Sequence, residues 1–149
     1  MKRLHVSISV SDFERSVSFY SAMFGTGPTE RRPDFAKWRL REPAVNFAIQ
    51  AGVGTFGVDH LGVEMDGSAD VSDCARRVGK AGGHVVEQED ARCCYARSDK
   101  AWAADPDGVA WELFATHERL DEFGEDRAPA SLDQAAAQGA EARETGHDR

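Results

Sequence analysis

Between Cys93 and Leu113 the chain reads CCYARSDKAWAADPDGVAWEL, a stretch that gathers side chains able to do chemistry. It opens with two adjacent cysteines in a chain that has only three. Thiolates are soft ligands for Zn, Cu(I) and other thiophilic centres, and Arg92, Arg97 and Lys100 would favour the thiolate if they came close. A regular strand turns neighbouring side chains to opposite faces, so joint binding of one atom by Cys93 and Cys94 needs a loop or a bulge. Two buried strand cysteines are the plain alternative. Farther on, Glu112 alternates with Ala110 and Phe114 on one face of a strand-like run. A carboxylate there is costly unless it is paired, protonated or bound to a metal.

His5, His60 and Glu112 are three ligand-type residues at nearly even spacing, each in a strand-like run. Two imidazoles and one carboxylate with positions left open suit a non-haem Fe(II) site that takes up oxygen or substrate, and the same three can hold Zn, Mn or Ni. Against each histidine stands the alternative of a partly buried polar residue. Glu64 shares the face of His60 in a regular strand, but Asp66-Gly67 follow it and an exposed strand end is expected. His84, after a double glycine, is expected at an exposed strand mouth, and His117 and His147 on the surface. Cys74 falls on the apolar stripe of a helix and is assigned to core packing.

The elements that must position these residues repeat. Leu4, Val6, Ile8 and Val10 alternate with His5, Ser7 and Ser9, which predicts a strand with His5 on its polar face. Ser11-Asp12-Phe13-Glu14 reads as a capping box opening a helix whose stripe is Phe13, Val17, Tyr20 and Phe24, with Gly25 as its stop. Phe35–Arg41 and Val45–Gln50 read as strands around Glu42-Pro43, with a short strand near Thr29–Arg31. After the glycine-rich midpoint, Val58–Met65 is strand-like, Ser68–Ala81 helical, and His84–Gln88, Cys93–Ser98 and Val109–Phe114 are further strands. Pro and Gly in Asp105-Pro106-Asp107-Gly108 predict a type I turn. The expected fold class is α+β: two βαβββ modules, at about 1–52 and 57–116, forming a domain over 1–116. A short helix is expected over His117–Phe123, and residues 117–149 form an acidic, Ala/Glu-rich tail expected to be disordered.

The formal net charge is −8, and from His117 onward nine acids against four arginines account for −5 of it. The acidity therefore belongs mostly to the tail, and it argues against nucleic acid or an anionic membrane as a partner. No apolar run approaches membrane-spanning length, and no apolar core follows Met1-Lys2-Arg3 as in a signal peptide. An odd number of cysteines is not a disulfide framework, so reduced thiols in the cytoplasm are expected.

The duplicated modules bearing His5, His60 and Glu112 resemble the vicinal-oxygen-chelate superfamily of glyoxalases, extradiol dioxygenases and fosfomycin-resistance proteins, over about Met1–Ala115. Within it, CCYARSDKAWAADPDGVAWELF resembles the arsenic-resistance C–As lyases and the related cadmium-induced proteins. A vicinal cysteine pair followed by SDK-x-W and DPDG is not general in the superfamily. The resemblance implies an Fe(II)- and dioxygen-dependent enzyme that cleaves the carbon–arsenic bond of trivalent organoarsenicals such as methylarsenite, giving arsenite. It implies that Cys93 and Cys94 hold arsenic and that His5, His60 and Glu112 hold iron. Tyr95 and Trp102 are then candidate pocket walls, with core packing the alternative. Lys100 is a candidate catalytic group balancing charge on thiolates or bound oxygen, with an exposed lysine the alternative. Glyoxalases usually take a fourth ligand from the last strand of the first module; here Val45–Gln50 offers only Asn46 or Gln50. That favours the oxygenase-like branch, while the fosfomycin-type thiol transferases share the triad. A homodimer with swapped modules is an option within the superfamily. A non-catalytic protein that binds cadmium or arsenic is the alternative of a different class.

Overall fold

The computed structural model describes residues 1–52, 54–93, 95–119 and 129, with backbone alone at Cys93 and Arg119. In chain order the elements are β1 (Arg3–Val10), α1 (Phe13–Phe24), β2 (Glu30–Arg31), β3 (Phe35–Leu40) and β4 (Val45–Ala51). They continue with β5 (Gly57–Glu64), α2 (Ser68–Lys80), β6 (His84–Cys93), β7 (Ala96–Ala104) and β8 (Ala110–Arg119). The βαβββ order occurs twice, as the periodicities predicted. The chain groups into two compact units, one from Met1 to Leu61 and the other starting at Gly62, so the division falls inside β5.

In the first unit β1 pairs with β4 in parallel and β4 with β3 antiparallel, which sets His5 beside Asn46. The α1 cap is Asp12 and not Ser11: its carboxylate accepts from the Arg15 N–H at 3.0 Å. A carboxylate in that position satisfies an otherwise unpaired helix donor and meets the positive end of the helix dipole. Gly25 ends the helix with φ 69°, a left-handed conformation that glycine adopts without strain. One face of β1 packs Val6, Ile8 and Val10 into an aromatic core under α1, where Tyr20 and Phe47 lie 4.6 Å apart between ring centres. The other face does not meet solvent as a polar face would. His5 and Ser7 are buried, whereas Leu4 is 49% exposed. Alternation correctly separated the faces of the strand but could not say that both are covered.

In the second unit β6, β7 and β8 form an antiparallel meander. Val71 and Ala75 of α2 pack on Ala101, Leu113 and Ala115, with Cys74 against the same cluster, as its place on the helix stripe predicted. The Asp105–Gly108 turn closes with the Gly108 N–H donating to the Asp105 carbonyl at 3.0 Å. The strand expected over Cys93–Ser98 does not form as one element. β6 instead runs on to Cys93, which pairs with Ala96, so only two residues join β6 to β7. Tyr95 there has φ 64°, and Asp90, in a bulge of β6 between Gln88 and Ala91, has φ 56°. Neither position carries the glycine that normally announces such a turn, and the reversal was therefore not legible. Arg97 braces the bulge with a two-pronged ion pair to Asp90.

β8 also extends to Arg119, so residues 117–119 continue the strand where a helix was expected. Ala96 and Arg97 on β7 supply the backbone partners that keep it extended. The expectations for 120–128 and 130–149 lie outside the described residues.

Asp99 ties these elements together. Its carboxylate accepts from Ser68 Oγ at 2.6 Å, His117 Nε2 at 2.9 Å and the Asp90 N–H at 3.0 Å. The Ser68 hydrogen bond, then the Asp90 amide and His117, hold its pKa down at about 2. A depressed carboxylate pKa stabilises the fold fully above the unfolded value and loses that contribution as pH falls through the folded one. With the side chain 31% exposed, screening leaves about 1 kcal/mol. In urea melts Asp99→Asn is expected to lose about that much at pH 7, and the difference should shrink as pH falls below the ordinary aspartate range and through about 2.

Candidate metal centre

His5 and His60 are brought together in the first unit, with Nε2 atoms 3.3 Å apart and ring centres 5.2 Å apart. The opposite nitrogens fix what those atoms can be. His5 Nδ1 lies 3.0 Å from the Asn46 carbonyl, which only accepts, so Nδ1 carries the proton. The Asn46 side-chain oxygen adds a second acceptor at 3.3 Å. His60 Nδ1 lies 2.7 Å from a carboxylate oxygen of Asp59 and is a donor for the same reason. In the neutral rings both Nε2 atoms are then lone-pair donors aimed at each other. That arrangement is repulsive without a proton or cation between them, and two nitrogens about 2.1 Å from one metal ion can span such a distance. An imidazole whose far N–H is held by an oxygen is also the usual form of a metal ligand. This donor set fits a divalent metal.

Asn46 entered the sequence reading only as a residue able to reach inward; its role here is to orient His5. Asp59 was not singled out. It sits next to His60 in sequence, and alternation in a regular strand would turn the two apart.

Glu112, Lys100 and Trp102 are brought together in the second unit. Lys100 is not an exposed lysine: its Nζ lies 2.5 Å from Glu112 Oε1, with the side chains 5% and 6% exposed. Register explains the contact. Trp102 stands directly opposite Glu112 and Phe114 directly opposite Lys100, so the ion pair is a diagonal pair on one face with an aromatic ring beside each member. Trp102 is buried and donates through Nε1 to Gln88 Oε1 at 3.1 Å. Tyr95 is buried as well. β6 ends at Cys93, and Cys94 lies outside the described residues.

Glu64, expected at an exposed strand end, is buried. It follows Gly62 on the same face of β5, whose end hydrogen-bonds to β8 through the Met65 N–H and the Phe114 carbonyl. His84 is exposed at the start of β6, as expected, His117 is an exposed strand residue, and His147 lies outside the described residues. Gly62 is required by close approach: a methyl group there would overlap the Glu112 carbonyl and come within 3.2 Å of its Cβ. Gly62→Ala is expected to destabilise by about 1–3 kcal/mol, the usual effect of overpacking. An unchanged melting temperature would show that β8 yields to the methyl group.

Residues 2–113 match the model of the Glyoxalase/Bleomycin resistance protein/Dioxygenase superfamily. The chain is 41% identical over 116 residues to a trivalent organoarsenical cleaving enzyme of Thermomonospora curvata, covering 76% of this chain and 77% of that one. It is 31% identical over 125 residues to the cadmium-induced protein CadI of Mycobacterium bovis, covering 83% and 82%. Among solved structures, homoprotocatechuate 2,3-dioxygenase from Arthrobacter globiformis superposes with a TM-score of 0.59 at 20% identity. That likeness covers 80% of this chain and 37% of the dioxygenase, and it is one of fold.

Proposed function

This chain belongs to the Glyoxalase/Bleomycin resistance protein/Dioxygenase superfamily, and on that premise we propose that it cleaves the carbon–arsenic bond of trivalent organoarsenicals such as methylarsenite. In this reading His5, His60 and Glu112 hold one Fe(II) ion, and Cys93 and Cys94 hold the arsenic. The observation that carries the metal assignment is the pair of imidazoles, each locked by an oxygen at Nδ1, with facing Nε2 atoms. The substrate assignment is supported by the identity with the organoarsenical cleaving relative and by the vicinal cysteines.

When bound, Fe(II) supplies open positions for dioxygen. The protein's own contributions are orientation and charge. Asn46 and Asp59 hold the two rings in one tautomer, and Glu112 brings the negative charge that partly neutralises a divalent ion. Thiolates of Cys93 and Cys94 fix thiophilic arsenic so that its organic group is presented to the metal, which supplies the proximity term. Trp102 and Tyr95 wall the pocket and exclude water. Among the described residues no helix is long and apolar enough to cross a membrane. We place the enzyme in the cytoplasm, with residues 1–116 as its catalytic domain.

The test is oxygen uptake by Fe(II)-loaded protein given methylarsenite, with arsenite release measured in parallel. Stoichiometric release and uptake are expected. Tight binding of cadmium and arsenicals with no oxygen consumed would favour sequestration, the reading suggested by the cadmium-induced relative. Conjugation of glutathione to fosfomycin would move the protein to the thiol-transferase branch.

A further inference from the structure

We propose that Asp99 is a positioning residue for arsenical binding: it fixes the strand register in which β6 reaches the vicinal cysteines. The inference rests on the reading of Cys93 and Cys94 as arsenic ligands, and it concerns what holds the segment that carries them. β6 and β7 do not pair evenly. Gln88 stands opposite Lys100 and Ala91 opposite Ser98, so Glu89 and Asp90 of β6 together face the single residue Asp99. β7 and β8 carry a second irregularity. Arg97 stands opposite Glu118 and Ser98 opposite Thr116, which leaves His117 as an extra residue on β8. Both Asp90 and His117 turn to Asp99. Its Oδ1 accepts from the Asp90 N–H at 3.0 Å, and its Oδ2 lies 2.9 Å from His117 Nε2. Ser68 Oγ, at the start of α2, donates to the same Oδ2 at 2.6 Å. One carboxylate thus joins both irregularities to a helix.

The bulge in β6 needs that support. A bulge leaves its extra residue outside the ladder, and Asp90 has φ 56°, a conformation uncommon in residues other than glycine. Asp99 gives the Asp90 N–H a charged acceptor, and Arg97, two residues earlier on β7, holds the Asp90 carboxylate. The consequence lies downstream. Cys93 pairs with Ala96 because the bulge takes up one residue of β6. In an even ladder Ala91 would face Arg97 in place of Ser98, and a slip of one residue turns every following side chain to the other face. The observed register and the slipped one therefore present the cysteine segment on opposite faces of the hairpin, and Asp99 selects the first.

The experiment uses phenylarsenite as the probe and reads binding by fluorescence titration. Asp99→Ala is expected to bind it about tenfold more weakly, because the acceptor for the Asp90 N–H is lost and the competent register is populated less. Asp99→Asn keeps an oxygen for that N–H and should stay within about threefold of the parent, although it loses stability with the charge. Val17→Ala, in the core of the first unit, is the control: it destabilises the fold and should leave phenylarsenite affinity unchanged. Parent-like affinity in Asp99→Ala would overturn the proposal, as would equal weakening in Asp99→Asn and Asp99→Ala. A matching loss in Val17→Ala would do the same, since affinity would then follow stability. A measurement that needs no variant to fold is the backbone proton contact across β6 and β7 in the parent, read by NMR. Ala91 beside Ser98 is expected both free and with phenylarsenite bound; Ala91 beside Arg97 in the bound protein overturns the proposal. Cys94→Ser separates the two claims. If it keeps the parent's phenylarsenite affinity, the reading of the cysteines fails and the role of Asp99 with it. If it loses affinity while Asp99→Ala keeps it, the role of Asp99 alone is overturned.

Discussion

Cys93→Ser and Cys94→Ser are each expected to lower affinity for a trivalent organoarsenical by about 100-fold or more while leaving Fe(II) bound. The magnitude follows from chelation: the second thiol of a pair acts at an effective concentration of order millimolar or higher, and removing it leaves a single As–S bond. Iron should be retained because imidazole and carboxylate hold it without sulfur. Cys74→Ser is the internal control. That thiol packs against the cluster formed by Val71, Ala75, Ala101, Leu113 and Ala115, so its loss should lower the melting temperature and spare arsenical affinity. Fluorescence titration with phenylarsenite beside a ferrous-iron assay on the same preparations checks all three. Loss of iron from the Cys93 and Cys94 variants would instead indicate a mixed thiolate–histidine site, which suits sequestration better than turnover.

His60→Ala and Glu112→Gln are both expected to lose most bound iron and activity, yet to differ sharply in metal-free stability. His60 is half-buried and its Nδ1 partner Asp59 is exposed, so the alanine variant should unfold within about 1 kcal/mol of the parent. Glu112 neutralises a buried ammonium. Glu112→Gln keeps the volume but strips Lys100 of its counter-charge, and breaking a buried pair in this way costs about 3–5 kcal/mol. Urea melts of metal-free protein give the stability difference, and iron per chain gives the ligand role. Full iron occupancy in His60→Ala would remove that residue from the site. A neutral stability effect for Glu112→Gln would show that the pair with Lys100 is replaceable by water.

The repeated order of elements was legible because it rests on local patterns. Period-two alternation marked β1, period-3.6 stripes marked α1 and α2, and Gly25 marked the end of α1. The Asp105–Gly108 turn was legible for the same reason, its proline and glycine being set by backbone geometry. The reversal at Tyr95 was not. A tyrosine with φ 64° is held there by the β6–β7 pairing on either side, and its own preference points elsewhere. The strand over 117–119 was missed because an exposed, charged segment becomes a strand here through its pairing with β7.

By itself, the sequence determined which ligand types exist, that they lie on strands, and that two thiols stand together. These depend on residue identity and near-neighbour spacing alone. Only the tertiary structure decided what each group can do. The tautomer of His5 is set by the carbonyl of Asn46, a partner 41 residues away, through the parallel register of β1 and β4. The burial of Lys100 and its pairing with Glu112 follow from the register that puts Trp102 opposite Glu112 and Phe114 opposite Lys100. Side-chain direction along one strand repeats every second residue and can be read locally, but strand register joins distant segments, and a slip of one residue turns every side chain to the other face.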